Sequence, residues 1–289
     1  MSFFPATRVF ILVICLSLFS PACLVRRRIV APPGKTEHRP LLTADKAELI
    51  RRIRAISDPI QTFTMKVDMA PSVGNLRGGT ISDYPTISGY VLFRQPDQIR
   101  VIGLDPVVHG TAFDMLSTGK NFMVSIPSRN EFIEGANDAP ADSPNKLENL
   151  RPDAFFGALM IKPPPAPANL TVLEDDTDET RANYVLLMLM RDGEELRLER
   201  SVYFDRYSLE ITRQVTFDAT GNIKGDTKYQ SWRSYGNVQF PSIIDMERPI
   251  DGYELVLTVT DLKINAPEVT ADRFVLNQPP NAKVRVLKE

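Results

Sequence analysis

A chain of 289 residues with 43% hydrophobic content holds enough apolar material for one large core or two small ones. A formal net charge of −2 supplies no field for a polyanion, and the 8% aromatic residues form no stacking series among basic ones, which excludes nucleic acid as a partner. Two cysteines and two histidines, His38 and His109, argue against a Cys-based zinc site, a multi-His centre or a His-based triad, so no metal or other cofactor is expected.

The N-terminus carries a segment of its own. Arg8 is the only charge ahead of an apolar run over residues 9–19, and Ser20-Pro21-Ala22 follows. One basic residue, a short apolar stretch and a small residue at the cut are the pattern of a secretory signal peptide, and the run falls short of the roughly 20 residues of a membrane span. Cys23 then makes the site resemble the lipobox of bacterial lipoproteins, in which that cysteine is acylated and becomes the mature N-terminus. Ser20 stands where that family prefers Leu. Leu24 follows the cysteine, in place of the Asp that often retains such proteins at the inner membrane. The resemblance implies a signal peptide over residues 1–22, palmitate-type acylation of Cys23, and a lipid anchor at the periplasmic face of the outer membrane. Ordinary cleaved secretion and an uncleaved anchor remain the alternatives. Arg26, Arg27 and Arg28 would hold an uncleaved run on the cytoplasmic side; beside an acyl anchor, each would add about 1 kcal/mol of attraction to anionic headgroups. Loss of Cys15 with the signal leaves Cys23 alone, so no internal disulfide forms.

Residues 23–43 are Pro-rich, charged and aperiodic, the composition of a flexible tether, and a single domain is expected over 44–289. Thr43 is read as the N-cap of a helix over residues 44–56, with Leu49, Ile53 and Ile56 on one stripe and Asp58-Pro59 ending it. Period-two alternation then dominates, over 63–69, 122–126, 196–204, 209–217 and 253–259, and marks antiparallel sheet with one buried face. Turn residues punctuate it at Gln95-Pro96-Asp97, Ser117-Thr118-Gly119 and Ala219-Thr220-Gly221, and Asp192-Gly193 is the strongest hairpin signal. Residues 152–160 fit a short helix with Pro in its first turn, 162–167 a stiff extended crossing, and 136–149 a polar mobile loop. Strands of like character on both sides of the crossing favour one continuous sheet.

Reactive groups are sparse. No Ser lies in a G-x-S-x-G elbow, and no P-loop or dinucleotide glycine pattern occurs. Asp175-Asp176-Thr177-Asp178-Glu179 lacks the Gly and closing Glu of an EF-hand loop and reads as a solvated acidic turn. Acids are plentiful, yet nothing singles out a glycosidase pair, and no enzyme activity is expected. By contrast, residues 184–190 include no polar residue, and Ile99, Val101, Ile102 and Leu104 point to both faces. Both-face apolarity implies a second covering layer or a concave surface that holds something apolar.

The order of signal, cysteine, tether, helix and a strand meander interrupted by a second helix resembles the LolA/LolB lipoprotein-localisation family and related periplasmic lipid-binding proteins. Residues 47–56 followed by Phe63-Thr64-Met65-Lys66-Val67 are similar to the family's opening helix and first strand. Gly89-Tyr90-Val91-Leu92-Phe93-Arg94-Gln95-Pro96-Asp97-Gln98-Ile99-Arg100 is similar to its hairpin, and residues 113–119 to the next strand and turn. The resemblance covers residues 44–274; the 136–149 loop and the Pro run depart from the small members. It implies a mainly β (α+β) fold, an unclosed antiparallel half-barrel of about ten or more strands with the N-terminal and mid-chain helices as a lid over a hydrophobic cavity. Val91, Phe93, Val101, Phe113, Met115, Phe122, Val124, Leu187, Leu189 and Trp232 are the expected cavity wall. Val107 and Val108, in a Pro- and Gly-bounded loop after the third strand, are the expected contact with membrane or cargo. The implied function is a non-enzymatic carrier or receptor for the acyl chains of a lipoprotein or lipid. The alternative is a periplasmic sensor or envelope assembly factor that binds a protein partner. Detergent-phase partitioning of the full chain, lost on Cys23→Ser, is the outcome expected of the acyl anchor; partitioning that survives the substitution would contradict it.

Overall fold

The computed structural model describes residues 39–75, 79–108, 110–137, 139, 143, 146–165 and 170–287. The expected signal peptide, Cys23, most of the tether, both histidines, residues 166–167 of the Pro run and much of the 136–149 loop lie outside them. Pro40–Glu289 forms one compact unit.

Helix α1 (Lys46–Ser57) starts two residues later than the sequence suggests, because Asp45 outcompetes Thr43 as the cap: its carboxylate accepts the Glu48 N–H at 2.7 Å. The helix buries Leu49, Ile50 and Ile53, and Ile56 is half-buried. The first run of strands comprises β1 (Thr62–Asn75), β2 (Thr80–Asp83), β3 (Ile87–Arg94), β4 (Gln98–Leu104), β5 (Thr111–Thr118), β6 (Asn121–Ile126) and β7 (Glu131–Ala136). Helix α2 (Pro152–Leu159) follows. The second run is β8 (Thr171–Thr177), β9 (Ala182–Asp192), β10 (Glu195–Asp205), β11 (Ile211–Phe217), β12 (Ile223–Tyr235), β13 (Val238–Arg248) and β14 (Tyr253–Ile264), with β15 (Lys283–Leu287) last.

All fifteen strands belong to one sheet in the order β15-β7-β6-β5-β4-β3-β1-β14-β13-β12-β11-β10-β9-β8, with β2 on β1. The outer strands β15 and β8 do not pair with each other, so the half-barrel is unclosed as expected. Two antiparallel meanders meet at the seam between β1 and β14, paired from Phe63↔Ile264 to Val73↔Tyr253 with one register shift between Lys66 and Val67. One pairing departs from the antiparallel expectation: β15 runs parallel to β7. The Asp192-Gly193 hairpin is present, with Gly193 at φ 62 between the paired Asp192 and Glu195.

Alternation sends Phe63, Phe93 and Phe240 to the concave face, where ring centroids lie 5.1 Å (Phe63–Phe93) and 6.2 Å (Phe63–Phe240) apart. Phe156 of α2 joins them at 5.8 Å from Phe93, and each such pair adds about 0.5–1.5 kcal/mol beyond its buried area. The convex face carries a second cluster. Leu92 and Leu116 pack under Val269 and Phe274, with Ile102 half-buried beside them, so the chain after β14 forms an outer layer on β3–β5. Arg100, paired with Asp114 at 2.7 Å, holds that layer by donating to the Arg273 carbonyl at 2.6 Å. Of the two readings of both-face apolarity, β3–β5 thus have a second covering layer on their convex face. The run 175–179 ends β8 and is neutralised locally, by Arg206 on Asp175 at 3.0 Å and Arg181 on Asp178 at 2.7 Å.

Two glycines give opposite expectations. A Cβ on Gly89 would lie 2.2 Å from the Ile102 carbonyl oxygen, whereas one on Gly157, inside α2, meets nothing within 4 Å. Gly89→Ala is expected to destabilise by about 1–3 kcal/mol, and Gly157→Ala to stabilise by about 0.5–1 kcal/mol, as read by chemical denaturation. Equal effects would contradict the register of β3 on β4.

Candidate functional site

Helix α2 lies in the concavity and is held there by polar as well as apolar contacts. Phe155 is fully buried. Tyr229 donates its hydroxyl to the Ala158 carbonyl at 2.8 Å, and Gln214 Nε2 donates to the Gly157 carbonyl at 2.8 Å. These are carbonyls of the last helical turn, which have no partner inside a helix. Burial pushes the Tyr229 phenol well above its ordinary pKa, so it stays protonated and donating at any physiological pH.

What α2 does not cover stays open. A cavity of about 900 Å³ lies against β1, β3, β5, β6, β7 and β14, its apolar wall built by Met69, Ile87, Phe113, Met115, Phe122 and Val124. That volume is near the top of the roughly 300–1,000 Å³ range of small-molecule sites, and two further cavities of about 230 and 180 Å³ fall below it. Arg129 and Arg151 supply charge at its edge, and the Arg151 guanidinium stands 4.8 Å from the Phe122 ring centroid.

The ends of β1, β4 and β6 and the starts of β3, β5 and β7 share one rim of the sheet, as their antiparallel registers require. The cavity opens toward this rim, where Tyr84, Pro106 and Ala112 line it. The next two residues, Val107 and Val108, are 82% and 74% exposed. Their N–H groups both donate to Asp105 Oδ1, at 2.8 and 2.9 Å, and Asp105 N–H donates to the Gly110 carbonyl at 2.7 Å. The turn is thus built by its own hydrogen bonds and presents both valines outward.

Of the ten expected wall residues, Phe113, Met115, Phe122 and Val124 come together around this cavity. Val91, Phe93 and Val101 share the concave face but are fully buried in the core. Leu187 and Leu189 lie on the opposite face from Leu186 and Met188, which enter the core together with Tyr184 of the same strand. A strand apolar at every position offers no phase from which to choose its inner face. Trp232 lines the 180 Å³ cavity and donates Nε1–H to the Ile211 carbonyl at 3.0 Å. Tyr84, Ile87, Leu255 and the two arginines were not expected in the wall. Arg151, directly before Pro152 at the helix start, was the one of them with a local signal.

No family model and no curated protein sequence matches the chain. Among solved structures it is similar to a LolA superfamily protein from Nitrosomonas europaea, at 14% identity over 80% of this chain and 100% of the other, with a TM-score of 0.49. It is also similar to a DUF1329 family protein from Desulfovibrio piger, at 12% identity over 78% of this chain and 94% of the other, with a TM-score of 0.51. The chain shares its overall fold with that Desulfovibrio piger protein. At these identities the likeness extends to the fold alone.

A matched pair of substitutions tests the cavity without any ligand. Val124→Phe adds volume facing the open space and is expected to shift stability by less than about 0.5 kcal/mol, whereas Val91→Phe in the closed core should cost about 1–3 kcal/mol. Equal losses in thermal melts would contradict an open cavity at β6.

Proposed function

We propose that this chain is a non-enzymatic carrier or receptor that takes an acyl chain of a lipoprotein or lipid into the 900 Å³ cavity, anchored through Cys23 at the periplasmic face of the outer membrane. The observation that carries the reading is the union of an apolar cavity with an exposed, hydrogen-bonded valine turn at its mouth. Each buried methylene contributes about 0.8 kcal/mol, so ten would supply about 8 kcal/mol, the scale of a micromolar Kd before ordering costs. No reactive group is needed for that. Burying both valines in a bilayer or a cargo surface would add roughly 3 kcal/mol, enough to hold the mouth against its donor during transfer.

The test has two parts. Solvent extraction and mass spectrometry of the purified full-length protein should recover acyl species near stoichiometric amounts. The double variant Val107→Glu/Val108→Glu should slow acyl transfer from donor vesicles at least about tenfold, the equivalent of 1.4 kcal/mol. It should move the melting temperature by less than about 2 °C, because both side chains are already in water. Protein free of acyl species, or transfer unaffected by the two glutamates, would overturn the carrier reading in favour of a protein-binding envelope factor.

A further inference from the structure

A second cavity, of about 230 Å³, lies between α2 and strands β10–β13, and its chemistry differs from that of the first. Lys162, Arg200, Lys224 and Arg248 contribute four cations to its wall, against the two carboxylates Asp153 and Glu199. Two of the four cations are committed elsewhere: Arg248 is paired with Asp251 at 2.7 Å, and Lys224 lies 3.9 Å from Asp153. Lys162 and Arg200 form no ion pair with any carboxylate among the described residues. Arg200 Nη1 donates to the Lys162 carbonyl at 3.0 Å, the one side-chain hydrogen bond of Arg200 among the described residues, and the Lys162 ammonium rests 4.2 Å from the Phe156 ring centroid. Gln214, 2% exposed, also lines this wall, and its Oε1 accepts no hydrogen bond among the described residues.

We propose that Lys162 and Arg200 form a binding site for a phosphate-sized oxyanion, carried either on a lipid headgroup or free in solution. The exposed Lys162 ammonium and the half-buried Arg200 guanidinium share one wall and repel each other, and an anion between them removes that cost while supplying acceptors for the guanidinium's remaining N–H groups. Burial lowers the pKa of both, and the positive charge of Arg200 lowers that of Lys162 further; Asp153, Asp97 and Glu199 offset only part of this at Lys162, and Glu199 only part at Arg200. The site has walls separate from those of the apolar cavity, so it stands whether or not that cavity takes an acyl chain.

Isothermal titration of the full-length protein with inorganic phosphate, and separately with monomeric dihexanoyl phosphatidic acid, tests the site. Saturable binding is expected for at least one probe, and Lys162→Gln and Arg200→Gln should each weaken it at least about tenfold, as loss of a charge-assisted hydrogen bond to an anion would. Phosphatidic acid bound about tenfold tighter than phosphate, and equally sensitive to Arg200→Gln, identifies a headgroup site; equal affinities identify free phosphate. Lys162 is exposed, so Lys162→Gln decides the matter if Arg200→Gln unfolds. Val107→Glu/Val108→Glu should leave phosphate binding unchanged, which separates this site from the acyl cavity. No saturable binding of either probe, or binding undiminished in a folded Lys162→Gln variant, would overturn the proposal.

Discussion

Strands β8 and β15 do not meet, and this open seam governs the rest of the molecule. A closed barrel of smaller strand number fills its interior with its own side chains. An unclosed sheet with an apolar concave face cannot leave that face in water, because a bare apolar surface of such size promotes association. The chain answers by laying α1 and α2 into the concavity. Together they cover the aromatic cluster of Phe63, Phe93 and Phe240, which Phe156 of α2 joins, and they stop short of the rim where β5, β6 and β7 begin or end. The 900 Å³ cavity is what two short helices leave uncovered on a sheet too wide for them.

The manner in which α2 is held keeps that space from collapsing. Helices usually pack by apolar ridges alone, and such packing closes gaps. Here Tyr229 and Gln214 reach up from the sheet to the carbonyls of the last turn, so polar side chains set the height of the helix above β11 and β12. The result is a helix flanked by two spaces of opposite chemistry. The β5–β7 side is apolar with arginines at its edge, and the β10–β13 side is cationic. Matter with an acyl tail and an anionic group would find a complement to each part within one concavity.

Sequence pattern revealed much of this and missed the rest for physical reasons. Strict alternation in residues 63–69 fixes which side chains enter the core, and Met65, Val67 and Met69 do so. Phe113, Met115, Phe122 and Val124 fall on one face by the same alternation, but Leu116 and Met123 make the opposite face of these strands partly apolar, so the pattern alone did not choose between the two. The run 184–190 has no polar face, so the choice of Leu187 and Leu189 over Leu186 and Met188 had no physical basis. Val107 and Val108 were conspicuous because Pro106 and Gly110 bound them; their exposure follows from Asp105, whose side chain satisfies both amides locally. The outer layer of Val269 and Phe274 on Leu92 and Leu116, and the pairing of Lys162 with Arg200, join residues far apart in the chain. No local propensity encodes such meetings.

The account rests on one cavity that is open, apolar and ready for a hydrocarbon guest. Crystals of the protein grown with a terminally brominated fatty acid locate that guest directly through the anomalous scattering of bromine. The expected result is a bromine peak within the walls formed by Met69, Phe113, Met115, Phe122 and Val124. A bromine peak elsewhere on the sheet, or this same space filled by the protein's own side chains, would contradict it.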